Sequence, residues 1–273
     1  MEKFNCDCCS LCCRHIGGNP LAKNMDRGDG VCKFLNTSTN LCTIYYSRPD
    51  FCNVEKGYKK YFAEFSEEEY LRLNYEVCNK LKEEFFMKAA ILLANGFEEA
   101  EALVTIDILR RAGITIDSFS LAEEFVTSSR KITVRADKIL GDNNLTEYDM
   151  VILPGGQPGS TTLSKDERVL NIVRKFDAEK KFVAAICAAP MVLHAAGVSK
   201  GRKLTSFPTD ELKSLFADAN YIDDELVVQD GNFITSRGAG TTMPFAYKIV
   251  DVLGGNSEPV KKGMLYDRLL AGK

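Results

Sequence analysis

Apolar residues at Leu71, Tyr75, Cys78, Leu81 and Phe85 recur at helical spacing, one stripe that predicts an amphipathic helix ending near residue 86. Ser66-Glu67-Glu68-Glu69 opens it as a capping box, with Ser66 as the cap and Glu69 reaching back. At Met87 the period changes. The run KAAILLA over 88–94 is apolar throughout and stops at Asn95-Gly96, the pattern of a buried strand and a turn. Beyond it the two periods alternate. Residues 98–112 read as a helix closed by Gly113, 114–121 as a strand, and 149–153 as a second buried strand broken by Pro154-Gly155-Gly156. Residues 166–176 are again helical and 181–186 a strand; 225–229 and 232–235 flank an Asp230-Gly231 hairpin turn, and a helix closes the series over about 242–253.

This alternation predicts an α/β fold, a doubly wound sandwich around a mostly parallel sheet covered on both faces. The change of pattern at Met87 divides the chain into a domain over 1–86 and an α/β domain over 87–273. A chain of 273 residues suits two domains. No apolar run reaches the roughly 18 residues a membrane span needs, and no signal-peptide core follows the start, so the expected location is the cytoplasm. A net charge of −3 offers no phosphate-tracking surface and no direct nucleic-acid-binding signature.

Cysteine usage is uneven. Nine of the ten cysteines lie in the first 78 residues, and only Cys187 lies beyond them. Cys6, Cys9, Cys12 and Cys13 follow C-x2-C-x2-C-C, with Cys8 inside the motif; Cys32, Cys42 and Cys52 follow at ten-residue intervals. In a reducing compartment such density favours metal over disulfides. Thiolates at this spacing can converge on zinc, two sites being within the supply of ligands. The same spacing matches the first ligands of an iron–sulfur cluster, and a thiol-rich surface without metal is the third reading. His15 beside the cluster can ligate or be solvated, and Cys78 sits on the helix's apolar stripe as a core residue. The stretches FNCDCCSLCC, GVCKFL and LCTIYYSRPDFC resemble the YkgJ family of zinc- or iron-chelating domains over about residues 4–60. The resemblance implies chelation and brings no reaction with it.

Cys187 ends a strand and stands just before Pro190, which suits the first turn of a helix. A thiol at such a turn is expected to have a lowered pKa and to share its N–H groups with an oxyanion; a small buried space-filling cysteine is the plainer reading. ILLANGFEEAE, VILPGG, AAICAAP and TSRGAGT, in this order, resemble the ThiJ/PfpI family, in particular its deglycase branch, over about residues 87–256. That resemblance implies a flavodoxin-like fold and a homodimer. It makes Cys187 the reactive cysteine and Glu101 the glutamate whose carboxyl contacts its sulfur. Gly156 and Ala188 match positions whose N–H groups face the site, and Arg130 and Asp107 match a pair near the pocket and the dimer contact. Glu98 and Glu99 read as solvated helix-start carboxylates, whereas Glu101, beside a thiolate, is expected to stay protonated at neutral pH.

Two departures narrow the chemistry. Phe207 stands where many relatives carry a histidine, its ring expected to pack around the pocket. His194, the other histidine, lies about 10 Å along the helix axis from Cys187 and is too far to act as its base. The residue after the cysteine is Ala188, so a cysteine–histidine protease is not expected. The reading is a cysteine-dependent glyoxalase or deglycase acting on reactive carbonyls such as methylglyoxal or on glycated adducts. No organic cofactor is expected in the α/β domain, and zinc or iron is expected in the first. The alternatives are a redox sensor or stress chaperone working through oxidation of Cys187, or metal storage by the first domain.

Overall fold

A sheet of seven strands organises the larger part of the chain in a computed structural model that describes residues 4, 6, 9–37, 41–141 and 145–272. The strands are β1 (Ala89–Leu93), β2 (Ile116–Ser120), β3 (Lys138–Ile139), β4 (Met150–Leu153), β5 (Phe182–Ile186), β6 (Val227–Asp230) and β7 (Phe233–Ser236). Their spatial order is β6-β7-β5-β4-β1-β2-β3. Only the β6–β7 hairpin is antiparallel; every other pair is parallel. All five residues of β1 are buried, as a strand covered on both faces requires. Strand alternation sends Leu92, Leu153 and Val183 to a core shared with Phe119, Phe176 and Leu193.

Around this sheet run α2 (Glu99–Arg111), α3 (Glu167–Ala178), α4 (Pro190–Ala195) and α5 (Thr242–Val252), preceded in the chain by α1 (Glu67–Phe85). α3 buries Val169, Leu170, Ile172, Val173 and Phe176, the stripe its sequence spacing predicts. Helix α2 packs on α5. The chain leaves β1 toward β2 on one side and returns through β4 on the other, so the strand order reverses between β1 and β4. In open parallel sheets ligands bind beyond the carboxyl ends of the strands at such a point.

The chain divides into two compact units, Met1–Phe86 with Gly254–Lys273, and Met87–Leu253. The boundary after Phe86 falls where the sequence pattern changes. The last segment differs from the sequence division: Gly254–Lys273, with helices Ser257–Gly263 and Tyr266–Leu270, groups with the first unit rather than with 87–253.

The first unit is built from short elements. A two-stranded antiparallel pair joins Leu35–Asn36 to Leu41–Cys42, and helices Val54–Tyr61 and α1 follow. Ser66 Oγ caps α1 by accepting from Glu69 N at 3.2 Å. Its apolar centre is small, Met25, Cys32 and Leu35 with Phe34 and Phe51 against them. Among the described residues no helix is long and apolar enough to cross a membrane.

Candidate active site

Three strand ends meet at the reversal point. β1 runs into Asn95-Gly96 and α2, β4 into Pro154-Gly155-Gly156, and β5 into Cys187. Cys187 adopts φ +63°, a left-handed conformation that costs a residue with a side chain about 1–3 kcal/mol. The surroundings enforce it: Cys187 N donates to Ser236 O at 3.0 Å, and Phe207 N donates to Cys187 O at 2.8 Å. This sharp turn lifts the sulfur out of the sheet, as in a nucleophile elbow.

Glu101, on the first turn of α2, is 1% exposed. Its Oε2 accepts from Gly155 N at 2.7 Å, and Glu98 N donates to Gly155 O at 2.8 Å, so the Pro-Gly-Gly segment and the start of α2 hold each other. Oε1 has no partner in hydrogen-bond geometry, yet the carboxyl lies close enough to the Cys187 thiol for each to shift the other. Glycine is required between them. A Cβ on Gly155 would stand 2.6 Å from Glu101 Oε2 and 2.7 Å from Cys187 Cβ. Gly156, at φ +90°, could carry a side chain only by colliding with Glu98 N at 2.3 Å.

Burial is the main cause that pushes Glu101 up to about 7; the Cys187 thiol and the Gly155 N–H oppose it. Burial, then the charge on Glu101, pushes Cys187 up to about 12, while the Ala188 and Gly156 N–H groups favour its thiolate. This corrects the expectation of a thiol with a lowered pKa. α4 has six residues and starts only at Pro190; the Ala188 and Gly156 N–H groups pull the sulfur toward its thiolate, and burial with the neighbouring carboxyl outweighs them. Burial thus holds both Glu101 and Cys187 toward their protonated forms, with the Glu101 charge adding to it at Cys187.

The sequence profile of the DJ-1/PfpI family matches residues 87–252. The chain belongs to this family. Protein dj-1beta of Drosophila melanogaster is 41% identical over 180 residues, 65% of this chain and 96% of the relative. A deglycase of Pyrococcus horikoshii is 34% identical over 151 residues, 55% of this chain and 90% of its own. The crystal structure of Drosophila melanogaster DJ-1beta superposes with a TM-score of 0.63 at 40% identity, covering 66% of this chain and 98% of that one. The flavodoxin-like α/β fold is that of the DJ-1/PfpI family.

Other residues singled out in the sequence fall elsewhere in this DJ-1/PfpI unit. Within the chain Asp107 pairs with Arg111 at 2.8 Å rather than with Arg130. Arg130 is exposed, and its backbone N–H bonds the Glu99 carboxylate. Glu98 and Glu99 are not simply solvated, since both accept from Ser129 Oγ, at 3.1 and 3.2 Å. His194 packs edge-on against Phe216 and takes no part in the site.

The family match begins at residue 87, so the cysteine-rich segment lies outside it. Cys6 and Cys12 are exposed, Cys9, Cys13 and Cys42 half-buried, Cys52 exposed and Cys32 buried; Cys8 lies outside the described residues. Their thiols are within electrostatic reach of one another. The hydrogen bond with Cys13 is the main cause that pushes Cys12 well above the usual range. Burial, with Cys12, Cys32 and Cys42, pushes Cys52 up to about 11. Cys78, half-buried on α1, also reaches about 11, through burial and then the charges of Cys12, Cys6 and Cys9. His15 donates its Nδ1–H to Leu11 O at 2.8 Å and stacks on Phe85. Among the described residues no three cysteine, histidine, aspartate or glutamate side chains converge to hold an ion. The donor set, thiols that resist ionising beside each other, nevertheless has the chemistry that a thiophilic cation relieves.

Proposed function

We propose that the chain is a cysteine-dependent glyoxalase or deglycase acting on small reactive carbonyls such as methylglyoxal, or on glycated adducts formed from them. One observation carries the reading: a cysteine on a left-handed turn beside a buried carboxyl, at the reversal point of a parallel sheet. The deglycase among the relatives supports it.

With Glu101 as a carboxylate, the thiol proton passes to it as sulfur adds to the aldehyde carbon. The carbonyl π pair becomes an alkoxide, steadied by the Ala188 and Gly156 N–H groups, and takes the proton back from Glu101 to give the hemithioacetal and leave Glu101 as a carboxylate. Glu101 then removes the proton from that carbon and returns one to the adjacent carbonyl carbon through an enediol, leaving a thioester on Cys187. Water cleaves the thioester, releasing lactate and restoring the thiol. These steps use no organic cofactor. The Phe207 ring supplies no base, so Glu101 carries every proton transfer.

The test is lactate formation from methylglyoxal by wild type and Cys187→Ser. Turnover lost in the serine variant supports the enzyme. No turnover in either protein, with stoichiometric sulfinate at Cys187 under mild peroxide, would replace it with redox sensing.

We further propose that the first unit chelates zinc or iron, with Cys6, Cys9, Cys12, Cys13, Cys32, Cys42 and Cys52 as donors. The C-x2-C-x2-C-C spacing supports this over a bare thiol surface. Bound metal would supply a counter-charge to the thiolates. The family's homodimer belongs to the same proposal.

A further inference from the structure

β7 runs into the segment TSRGAGT over 235–241, whose last residue reaches back across the turn. Thr241 Oγ1 accepts from Arg237 N at 3.2 Å and from Gly238 N at 3.1 Å, and lies 2.7 Å from Ser236 Oγ. Ser236 is completely buried, and its Oγ donates to Leu226 O at 2.7 Å. Proton supply fixes the direction of this chain. Ser236 has one hydroxyl proton and gives it to Leu226 O, so the proton between the two hydroxyls comes from Thr241. Gly238 O, also within reach of Thr241 Oγ1 at 2.9 Å, is already served by Thr241 N at 2.8 Å. Thr241 Oγ1 thus accepts twice and donates once, and a relay runs from Thr241 through Ser236 to Leu226 O.

The relay holds one peptide plane. Arg237 N–H and Ser236 C=O belong to the same trans peptide and point to opposite sides of it. Thr241 Oγ1 fixes the N–H end, and the C=O end accepts from Cys187 N at 3.0 Å. That bond is one of two that keep Cys187 at φ +63°, the other being Phe207 N to Cys187 O. A tilt of the 236–237 peptide therefore passes through Cys187 N to the aim of Sγ and of the following Ala188 N–H. A threonine that merely capped the turn Ala239–Thr241 would need Gly238 N alone. The bonds to Arg237 N and Ser236 Oγ go beyond a cap. The outer side of the loop is tied separately, by Arg237 to the Asp223 carboxylate at 2.7 Å.

We propose that Thr241 is a positioning residue for the nucleophile: its hydroxyl, through the 236–237 peptide, sets the geometry of the Cys187 turn and hence the reactivity of the sulfur. It acts through Ser236 and Cys187 and not on the substrate. The inference rests on the reading of Cys187 as a nucleophile.

The test is the rate of Cys187 alkylation by iodoacetamide on the full-length protein, read at that peptide by mass spectrometry. The C–S bond forms as iodide leaves with the C–I pair and the thiol proton passes to buffer, so no turnover is needed. Thr241→Val keeps the side-chain shape without the hydroxyl and should slow alkylation about tenfold or more, while Thr241→Ser should return it to within about twofold of wild type. Ser236→Ala breaks the relay at its second member and should slow alkylation likewise. The double variant should be no slower than the slower single, because one relay is lost once. Ser118→Ala removes a buried hydroxyl bonded to Asp137 Oδ2 at 2.7 Å, and should lower the urea midpoint with alkylation unchanged. In methylglyoxal turnover, Thr241→Val should lower kcat with KM little changed. No turnover in wild type, with the alkylation contrast intact, would sink the glyoxalase reading and leave the positioning role standing. Wild-type alkylation in Thr241→Val, or Thr241→Ser as slow as Thr241→Val, would overturn the role. If Thr241→Val does not fold, Ser236→Ala at the wild-type rate would overturn it equally.

Discussion

The reactive pair depends on residues whose roles are set by contact distances of a few ångströms. Gly155 leaves room for the Glu101 carboxyl and the Cys187 side chain at once. Gly155→Ala should therefore lower kcat/KM by about 10²-fold or more, since misplacing a reacting group by an ångström costs that much, while the unfolding midpoint in urea falls only modestly. Glu101 has a second, thermodynamic signature. Its folded pKa of about 7 lies above its ordinary value, so its contribution is greatest below about pH 4.5 and is lost as pH rises through 7. Relative to Glu101→Gln, wild type should lose about 3 kcal/mol of stability between pH 4.5 and 7.5, measured by urea unfolding across that range. A constant difference would mean the carboxyl is not buried as described. Cys187 was legible because it is the lone cysteine of its unit within a recurring motif. Glu101 was legible only through the family motif, because three glutamates share the start of α2 and sequence alone does not say which one is buried. The close approach of Gly155 to both the Glu101 carboxyl and the Cys187 side chain comes from three-dimensional placement and left no pattern in the sequence.

At the scale of elements, hydrophobic periodicity placed β1, β2, β4, β5 and the β6–β7 hairpin, and all the helices that pack on them except α4 and the short Gly159–Lys165. It missed Gly159–Lys165 because that helix begins inside a glycine- and proline-rich segment that reads as loop. It also missed β3, since two residues hold no period. The strands that were legible are the fully buried ones, and their stability should follow. Leu92 is completely buried in β1, and Leu92→Ala should cost about 2–5 kcal/mol in urea unfolding. Ser66→Ala removes the cap of α1 and should cost about 1 kcal/mol, read in a transition of the first unit.

The whole molecule joins a DJ-1/PfpI unit to a thiol-rich unit, and the two are expected to be separable in function. Serine at Cys6, Cys9, Cys12 and Cys13 together should remove bound zinc or iron, measured by plasma mass spectrometry on the full chain, and leave methylglyoxal kcat/KM within about twofold. Dimer formation predicts a light-scattering mass twice the 30.3 kDa of the chain. The sequence showed the boundary at residue 86 because the period changes there. It did not show that Gly254–Lys273 groups with the first unit, because those short helices carry no signal of where they dock.

The proposed chemistry depends on the buried Glu101 carboxyl acting as base beside Cys187, and the pH dependence of kcat/KM for methylglyoxal from pH 5 to 9 tests it most directly. Wild type should rise through an apparent pKa near 7 to a plateau, and Glu101→Gln should lose both that rise and about 10²–10⁴ of the rate. The same profile and the same rate in Glu101→Gln would contradict it.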